Sequence, residues 1–478
     1  MLQRGKHLTA ADRGLATGGG FAARLFAGGF HNLLDRIDAG LAEGRIEATL
    51  PDGTFRVLGG RGDGPSVVVH LRSWRSLVRL AASGSVGWYK AWARGEWASP
   101  DPVPLFDLFM RNAAALEDTA RAKGPWKLVN WLAHRFRAND PRQSRLNIAH
   151  HYDLGNDFYA AWLDPGLTYS SAIFAEPISP REPLEAAQER KVRLLLDRLD
   201  LEPGQRLLEI GCGWGGLAEI AARDYGVHVT GLTLSAEQKA FADRRLAGAG
   251  LAGSVDIQLI DYRQVAGRFD AVASVEMVEA VGEEYWPAYL QSIARALKPG
   301  GKAALQLISI RDDLFERYAA NADFIQAYIF PGGLLIGEQR FRRAAAAAGL
   351  AWADRRGYGL HYAETLKRWR AAYDAAVAAD RLPAGFDADF HDLWRYYLMY
   401  CEGGFRGAGI DVAQVTLVKS PSPIEGEGAS PGPAETPSRN RASANPPPRR
   451  PRRSAASASP GPRPEKRAPA SPSRSGRD

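Results

Sequence analysis

Cysteine is scarce in this chain: Cys212 and Cys401 are the only two in 478 residues. Two thiols exclude a disulfide scaffold and a cysteine-rich zinc site, and they fit a reducing compartment. Long apolar runs are also missing. A membrane-spanning helix needs about 20 consecutive apolar residues, and no stretch approaches that. Met1–Gly20 carries basic residues but no apolar segment, so no secretory signal is expected. Histidine numbers nine, and the tandem His150-His151 has no acidic or histidine partner at ligand spacing; no metal site is expected there. These absences leave a cytoplasmic protein whose contact with a membrane is confined to the surface.

The formal charge of +7 is unevenly placed. Residues 420–478 hold eleven Arg and Lys against five acids, so the body of the chain is nearly neutral. The same tail holds fourteen of the thirty prolines, with Ser, Ala, Gly and Arg between them. Such a segment has too little apolar surface to fold and is expected to be disordered. Its basic charge reads as solvation, and no specific nucleic-acid partner is expected.

Four segments follow from composition. Residues 1–120 read as a small α+β domain: a helix over Phe21–Ala42, a hairpin Arg45–Leu50 and Thr54–Leu58 around Pro51-Asp52-Gly53, a strand Val67–Leu71, a helix after Ser73 through Ala82, a short aromatic segment Val86–Ala93, and a helix Leu105–Leu116. Residues 121–144 contain Gly124–Arg137, where Trp126, Leu128, Trp131, Leu132 and Phe136 alternate with basic groups. That pattern suits a linker helix packed between domains, or one lying on an anionic bilayer. Residues 145–419 read as an α/β domain, and 420–478 as the tail.

The α/β domain turns on Leu207–Gly216. Leu207, Leu208 and Ile210 form a short apolar strand, glycines follow at 211, 213, 215 and 216, and Leu217–Arg223 reads as a helix. Strand, glycine turn and helix open a doubly wound nucleotide-binding fold. Further strands are expected at His228–Leu232, Ser254–Ile260, Phe269–Glu276 and Lys302–Ile308. Ser235 is expected to cap a helix to Leu246, another helix spans Tyr285–Ala296, Lys298–Gly301 is read as a turn, and Glu338–Tyr400 as helical. Ligands of such sheets lie over the carboxyl ends of the strands. Glu209, Thr233, Gln238, Asp261, Tyr262, Glu276, Glu279 and Gln306 fall there. Glu276 and Glu279 stand three apart on one turn, suited to capping or to meeting substrate.

The spacing Glu209-x-Gly-x-Gly-x-Gly resembles the first motif of S-adenosylmethionine-dependent methyltransferases. With it, His151–Phe174, Gly231–Gln238, Ser274–Gly282, Tyr328–Leu334, His361–Leu366 and Tyr397–Arg406 make the chain similar to the cyclopropane fatty acid synthase family, which includes the mycolic acid cyclopropane synthases. The resemblance covers residues 145–419. The N-terminal domain is similar, more weakly, to the lipid-associating domain of the bacterial synthases. The fold implied is α/β, a Rossmann-like class I methyltransferase domain beside a smaller N-terminal α+β domain.

The resemblance implies that S-adenosylmethionine is held by Tyr169, Ser170, Glu209, Gly211, Gly213, Gly215, Thr233, Leu234, Gln238, Asp261 and Tyr262. It implies transfer of a methyl group to a cis double bond of an unsaturated phospholipid acyl chain at the membrane surface, followed by proton loss and ring closure. A bound bicarbonate is expected to take that proton, surrounded by Ser171, Glu279, Gln306, the Ile308 backbone and Tyr362. Two of these depart from the family pattern, with Ser171 in place of Cys and Gln306 in place of His. A neutral amide cannot supply a proton as an imidazolium would, which puts bicarbonate binding and ring closure in question. Cys401 matches a family cysteine given a catalytic role by analogy, although the chemistry needs no covalent intermediate. A homodimer is left open. Rival readings are methyl branching without ring closure, a small-molecule N- or C-methyltransferase on the same fold, and a lipid-binding protein without activity.

Overall fold

The computed structural model describes residues 27–119, 154–321 and 323–421, together with Arg4 and Leu8. The segment Gly124–Arg137 expected to form a linker helix, the tandem histidines and the tail beyond 421 lie outside the described residues. Residues 1–423 form one compact unit.

The small module begins with α1 (Ala27–Gly40), whose Phe30, Leu34 and Ile37 recur at helical spacing and are buried. Strands β1 (Arg45–Thr49) and β2 (Phe55–Gly59) form the expected antiparallel hairpin, and β3 (Ser66–Leu71) runs parallel to β1. A short β4 (Trp97–Ala98) closes a four-stranded sheet in the order β2-β1-β3-β4. The helix expected through Ala82 stops at Ser83-Gly84, where both residues leave helical geometry and Gly84 adopts a φ of +53°, and the aromatic segment Val86–Ala93 continues as a second helical stretch of the same element, α2 (Arg75–Ala93). Ser73 does not occupy the N-cap, which is Trp74; the Ser73 hydroxyl accepts from the Arg75 N–H at 3.3 Å. The expected helix Leu105–Leu116 divides into α3 (Val103–Arg111) and α4 (Ala113–Thr119). Asn112 between them is buried because its amide accepts from the Ala42 and Glu43 N–H groups and donates to the Glu43 and Leu108 carbonyls.

After a short α5 (Asn156–Ala160), α6 (Leu184–Asp197) leads into the large sheet. Its members are β5 (Arg206–Ile210), β6 (His228–Thr233), β7 (Val255–Leu259), β8 (Phe269–Val275), β9 (Leu297–Ile310), β10 (Ile336–Gly337), β11 (Leu350–Gly357) and β12 (Ile410–Lys419). The order is β11-β12-β9-β8-β5-β6-β7, with β10 paired to β9. Strands β5 to β9 are parallel, while β12 and β11 add antiparallel to one edge. Helices α7 (Gly216–Tyr225), α8 (Ala236–Gly248) and α9 (Trp286–Ala296) make the crossovers, and Ser235 caps α8 by accepting from the Gln238 N–H. The fold is the doubly wound α/β architecture expected of a class I methyltransferase.

One local expectation takes another form and one fails. Lys298–Gly301 is an excursion within the long β9: the register to β8 passes from Phe269–Leu297 to Ala271–Lys302, these four residues stand outside the ladders to β8 and β12, and Gly300 turns the backbone with a φ of +76°. Leu350–Gly357 is a strand inside the region read as helical. Its charged residues are satisfied at the sheet edge, where Arg355 pairs with Glu338 and Asp411, and Asp354 with Arg198.

Helices α10 (Asp312–Ala319), α11 (Glu338–Ala347), α12 (Gly359–Ala378) and α13 (Ala388–Arg406) complete the unit. Aromatic contacts tie α13 to the small module. Tyr396 lies 5.0 Å from Tyr89 of α2 and 5.3 Å from Phe106 of α3, ring centroid to ring centroid. Gly403 permits this approach, since a Cβ there would sit 2.3 Å from the Phe106 Cβ and 2.8 Å from the Val103 carbonyl oxygen.

Candidate active site

The topology divides at β5, which has β6 on one side and β8 on the other. A cavity of about 420 Å³ opens over the carboxyl ends of these strands, where the fold class predicts a ligand and large enough for a small molecule. The glycine loop forms its floor. Gly211, Gly213 and Gly215 all adopt positive φ, of +84°, +51° and +84°. A Cβ at Gly213 would meet nothing within 4 Å, so that backbone stands open to the cavity. Gly215 does not line it. It packs against α8 instead, where a Cβ would lie 3.0 Å from that of Ala242.

The other residues expected to hold S-adenosylmethionine, namely Tyr169, Ser170, Glu209, Gly211, Gly213, Thr233, Leu234, Gln238, Asp261 and Tyr262, all border this cavity. Their partners differ. Thr233 Oγ1 donates to Gln238 Oε1 at 2.9 Å and accepts from the Ser235 N–H. Asp261 accepts from the Arg263 backbone N–H and holds the Arg263 guanidinium through both oxygens. Its carboxylate is thus engaged within the chain. Tyr169 shares a hydrogen bond with Tyr397 at 2.9 Å, and its ring lies among Tyr159, Trp162 and Trp369.

Glu209 is 3% exposed, and its Oε2 has no partner among the described residues. A buried carboxylate oxygen left unpaired is costly, and Glu209 is one of the residues that line the cavity. Burial pushes the Glu209 carboxyl up to about 8, against the pull of the Lys191 ammonium. Lys191 is itself buried on α6 and donates to Ser170 Oγ at 2.7 Å. Burial pushes it down to about 8, opposed by Glu276, Asp164 and Glu209. No motif marks Lys191, which in the sequence is one more cation on an amphipathic helix. The cavity, its glycine floor and the unpaired Glu209 oxygen fit S-adenosylmethionine.

A second cluster adjoins the cavity through Glu276, which lines it. Glu276 follows β8 with a φ of +48°, a left-handed conformation unusual for a residue with a side chain. Such backbone costs on the order of 1–3 kcal/mol, and three hydrogen bonds to its carboxylate offset that. The Ser171 N–H donates to Oε1 at 2.8 Å, Gln306 Nε2 donates to Oε1 at 2.8 Å, and the Tyr362 hydroxyl donates to Oε2 at 2.7 Å. Burial raises the Glu276 carboxyl, and these donors counter the rise.

The donors are themselves fixed. Arg198, which can only donate, binds Gln414 Oε1; Gln414 Nε2 donates to Gln306 Oε1 at 3.2 Å; Gln306 therefore presents its NH₂ group to Glu276. Gln414 reaches this place because β12 pairs with β9, which sets it opposite Gln306. Helix α12 holds the Ser171 segment, as Thr365 Oγ1 accepts from the Ala172 N–H and His361 Nδ1 from the Phe174 N–H. The motif around His361 thereby has a positional reason.

Glu279, on the next turn, accepts from the Ile308 N–H through Oε1, while its buried Oε2 has no partner among the described residues. Burial, reinforced by the charge of Glu276, pushes Glu279 up to about 8. Ser171, Glu279, Gln306, Ile308 and Tyr362 are therefore brought together, with Glu276 at their centre. In the sequence Glu276 reads as a cap or a substrate contact, undistinguished from Glu279. Cys401 lies on α13 and makes no hydrogen bond among the described residues. Burial and then the charge of Asp323 push its thiol well above the ordinary range, which leaves it protonated and a poor nucleophile. No group of three or more His, Cys, Asp or Glu suited to a metal occurs among the described residues.

The chain is 37% identical over 369 residues to a tuberculostearic acid methyltransferase of Mycobacterium tuberculosis, covering 75% of this chain and 84% of the relative. It is 34% identical over 350 residues to the cyclopropane-fatty-acyl-phospholipid synthase of Escherichia coli K12, covering 71% and 84%. A crystal structure of a mycolic acid cyclopropane synthase complexed with S-adenosylhomocysteine superposes with a TM-score of 0.53 at 31% identity, over 57% of this chain and 98% of that one. Residues 139–415 match the family described as mycolic acid cyclopropane synthetase. The chain belongs to that family of S-adenosylmethionine-dependent methyltransferases.

Proposed function

We propose that this protein transfers the methyl group of S-adenosylmethionine to the cis double bond of an unsaturated phospholipid acyl chain and closes a cyclopropane ring. The observation that carries this reading is the half-buried carboxyl pair Glu276 and Glu279, the first of which lines the cofactor cavity. Methylation of an amine or a hydroxyl needs at most one base near a polar acceptor. Methylation of an alkene creates a carbocation that must be shielded from water and then lose a proton from carbon. The relationship to a cyclopropane-fatty-acyl-phospholipid synthase supports the same reading.

In the reaction, the cavity orients the sulfonium methyl toward the acceptor. The alkene π pair forms the new C–C bond as the C–S bond breaks, its electrons passing to sulfur. The ring of Tyr169, which borders the cavity and packs 5.3 Å from Trp369, supplies a face suited to a developing cation. The surrounding aromatic packing excludes water.

A second reading, methyl transfer without ring closure, is favoured by Ser171 and Gln306 and by the relationship to a tuberculostearic acid methyltransferase. Incubation with isotopically labelled S-adenosylmethionine and cis-unsaturated phospholipid vesicles separates the two. Label in a ring, seen by NMR, supports cyclopropanation; label in a branch or a retained double bond supports the second reading; label absent from lipid overturns both.

A further inference from the structure

We propose that the Glu276 carboxylate occupies the anion site where the family resemblance implies bicarbonate, and that it is itself the base for the proton lost after methyl transfer. This rests on the methyl-transfer reading above. The groups implied for bicarbonate are the Ser171 N–H, the side chains of Gln306 and Tyr362, the Ile308 N–H and Glu279. The first three are bound to Glu276, at 2.8, 2.8 and 2.7 Å. The fourth is bound to Glu279. These residues do not fit a bicarbonate ion as well, because their donors already surround a carboxylate of similar shape and charge. A tethered carboxylate also holds an entropic advantage over a free ion competing for the same donors.

The departures from the family pattern then make sense together. Gln306, oriented by Gln414, turns an N–H toward Glu276 and has no proton to give up, so it keeps the carboxylate an acceptor. Ser171 contributes through its backbone, while its hydroxyl donates elsewhere, to the Ala172 carbonyl. The left-handed backbone at Glu276 directs the side chain into this ring of donors while leaving the residue on the cavity wall. Burial and the charge of Glu276 push Glu279 up to about 8, toward its neutral form.

Within the step, the alkene attacks the sulfonium methyl and the C–S pair leaves on sulfur. The cation then loses a proton from the transferred methyl group to Glu276 Oε2, the oxygen with one donor rather than two. The freed C–H pair forms the second C–C bond of the ring, or a C=C bond if hydride migration comes first. Glu276 ends as a carboxylic acid and returns its proton to solvent on product release.

The test uses the full chain in carbonate-depleted buffer, with and without added bicarbonate. Lipid methylation is measured together with ¹³C-bicarbonate binding by NMR in the presence of S-adenosylhomocysteine. The expected result is wild-type turnover independent of bicarbonate, and no bicarbonate bound. Glu276→Gln should lower turnover about 10²-fold, as loss of a general base does, with S-adenosylhomocysteine binding and melting temperature retained. Glu276→Gly, which suits the positive φ and opens the site, should bind bicarbonate and regain turnover when it is added. Wild-type turnover that requires bicarbonate, bicarbonate binding to the wild type, or full turnover by Glu276→Gln would each overturn the proposal. A wild type that methylates no lipid, yet excludes bicarbonate while Glu276→Gly binds it, would remove the methyl-transfer reading and support the assignment of the anion site.

Discussion

Glu209 shows how a single residue can be legible in type and hidden in state. Its place before the glycine loop is where the family resemblance implies a ligand of the cofactor. Only the fold shows that one of its oxygens is buried and unpaired beside the cavity. Hydrogen bonds to a charged group contribute about 1.5–3 kcal/mol, so Glu209→Gln is expected to weaken S-adenosylhomocysteine binding roughly 10- to 100-fold by isothermal titration. Unchanged affinity would place that oxygen outside the ligand's reach. Glu279 offers a pH-dependent counterpart. Its folded-state value of about 8 lies above the ordinary carboxylate range, so the folded chain keeps a proton that the unfolded chain has lost. More protons bound in the folded state means that stability falls as pH rises, over the window from about 4.3 to the folded value of about 8. Melting curves of wild type and Glu279→Gln across that window should show the shallower decline in the variant. Equal declines would show that Glu279 ionises as an exposed carboxylate does. Glu276 was visible as an acid three residues before Glu279, but its role depends on donors from residues 171, 306 and 362, which no local spacing connects.

Among the elements, those with strong local signals were readable. The hairpin around Asp52-Gly53, the apolar β5, and the Ser235 cap all appear where turn chemistry and patterning place them. The strand β11 was not. Its segment Leu-Ala-Trp-Ala-Asp-Arg-Arg-Gly carries charge where a strand usually alternates, and only the ion pairs of the folded edge account for it. Missing β11 also obscured the antiparallel edge and with it the route by which Gln414 reaches Gln306. Helix α13 carries another signal without a local meaning. Gly403 interrupts a good helix former's run because α3 packs directly against it. Gly403→Ala is expected to overpack that contact and cost about 1–3 kcal/mol, read as a lower melting temperature. Unchanged melting would show that α3 does not press on α13.

For the molecule as a whole, the sequence divided the described residues into a small α+β part and a methyltransferase part. In the fold, both contribute to one continuous hydrophobic core inside a single compact unit. Tyr89 and Phe106 from one part meet Phe324 and Tyr396 from the other. Interlocking of this kind is tertiary and has no signature in composition. The glycine motif, by contrast, needed no tertiary knowledge, since the backbone of a cofactor loop constrains a few adjacent residues.

The account stands or falls on where the methyl group goes. The most direct measurement is to supply labelled S-adenosylmethionine and vesicles of cis-unsaturated phospholipid to the purified chain, then to analyse the released fatty acids by mass spectrometry and NMR. The expected product is an acyl chain heavier by one CH₂, bearing the label in a cyclopropane ring. Label recovered only in water-soluble acceptors, with the acyl chains unchanged, would contradict it.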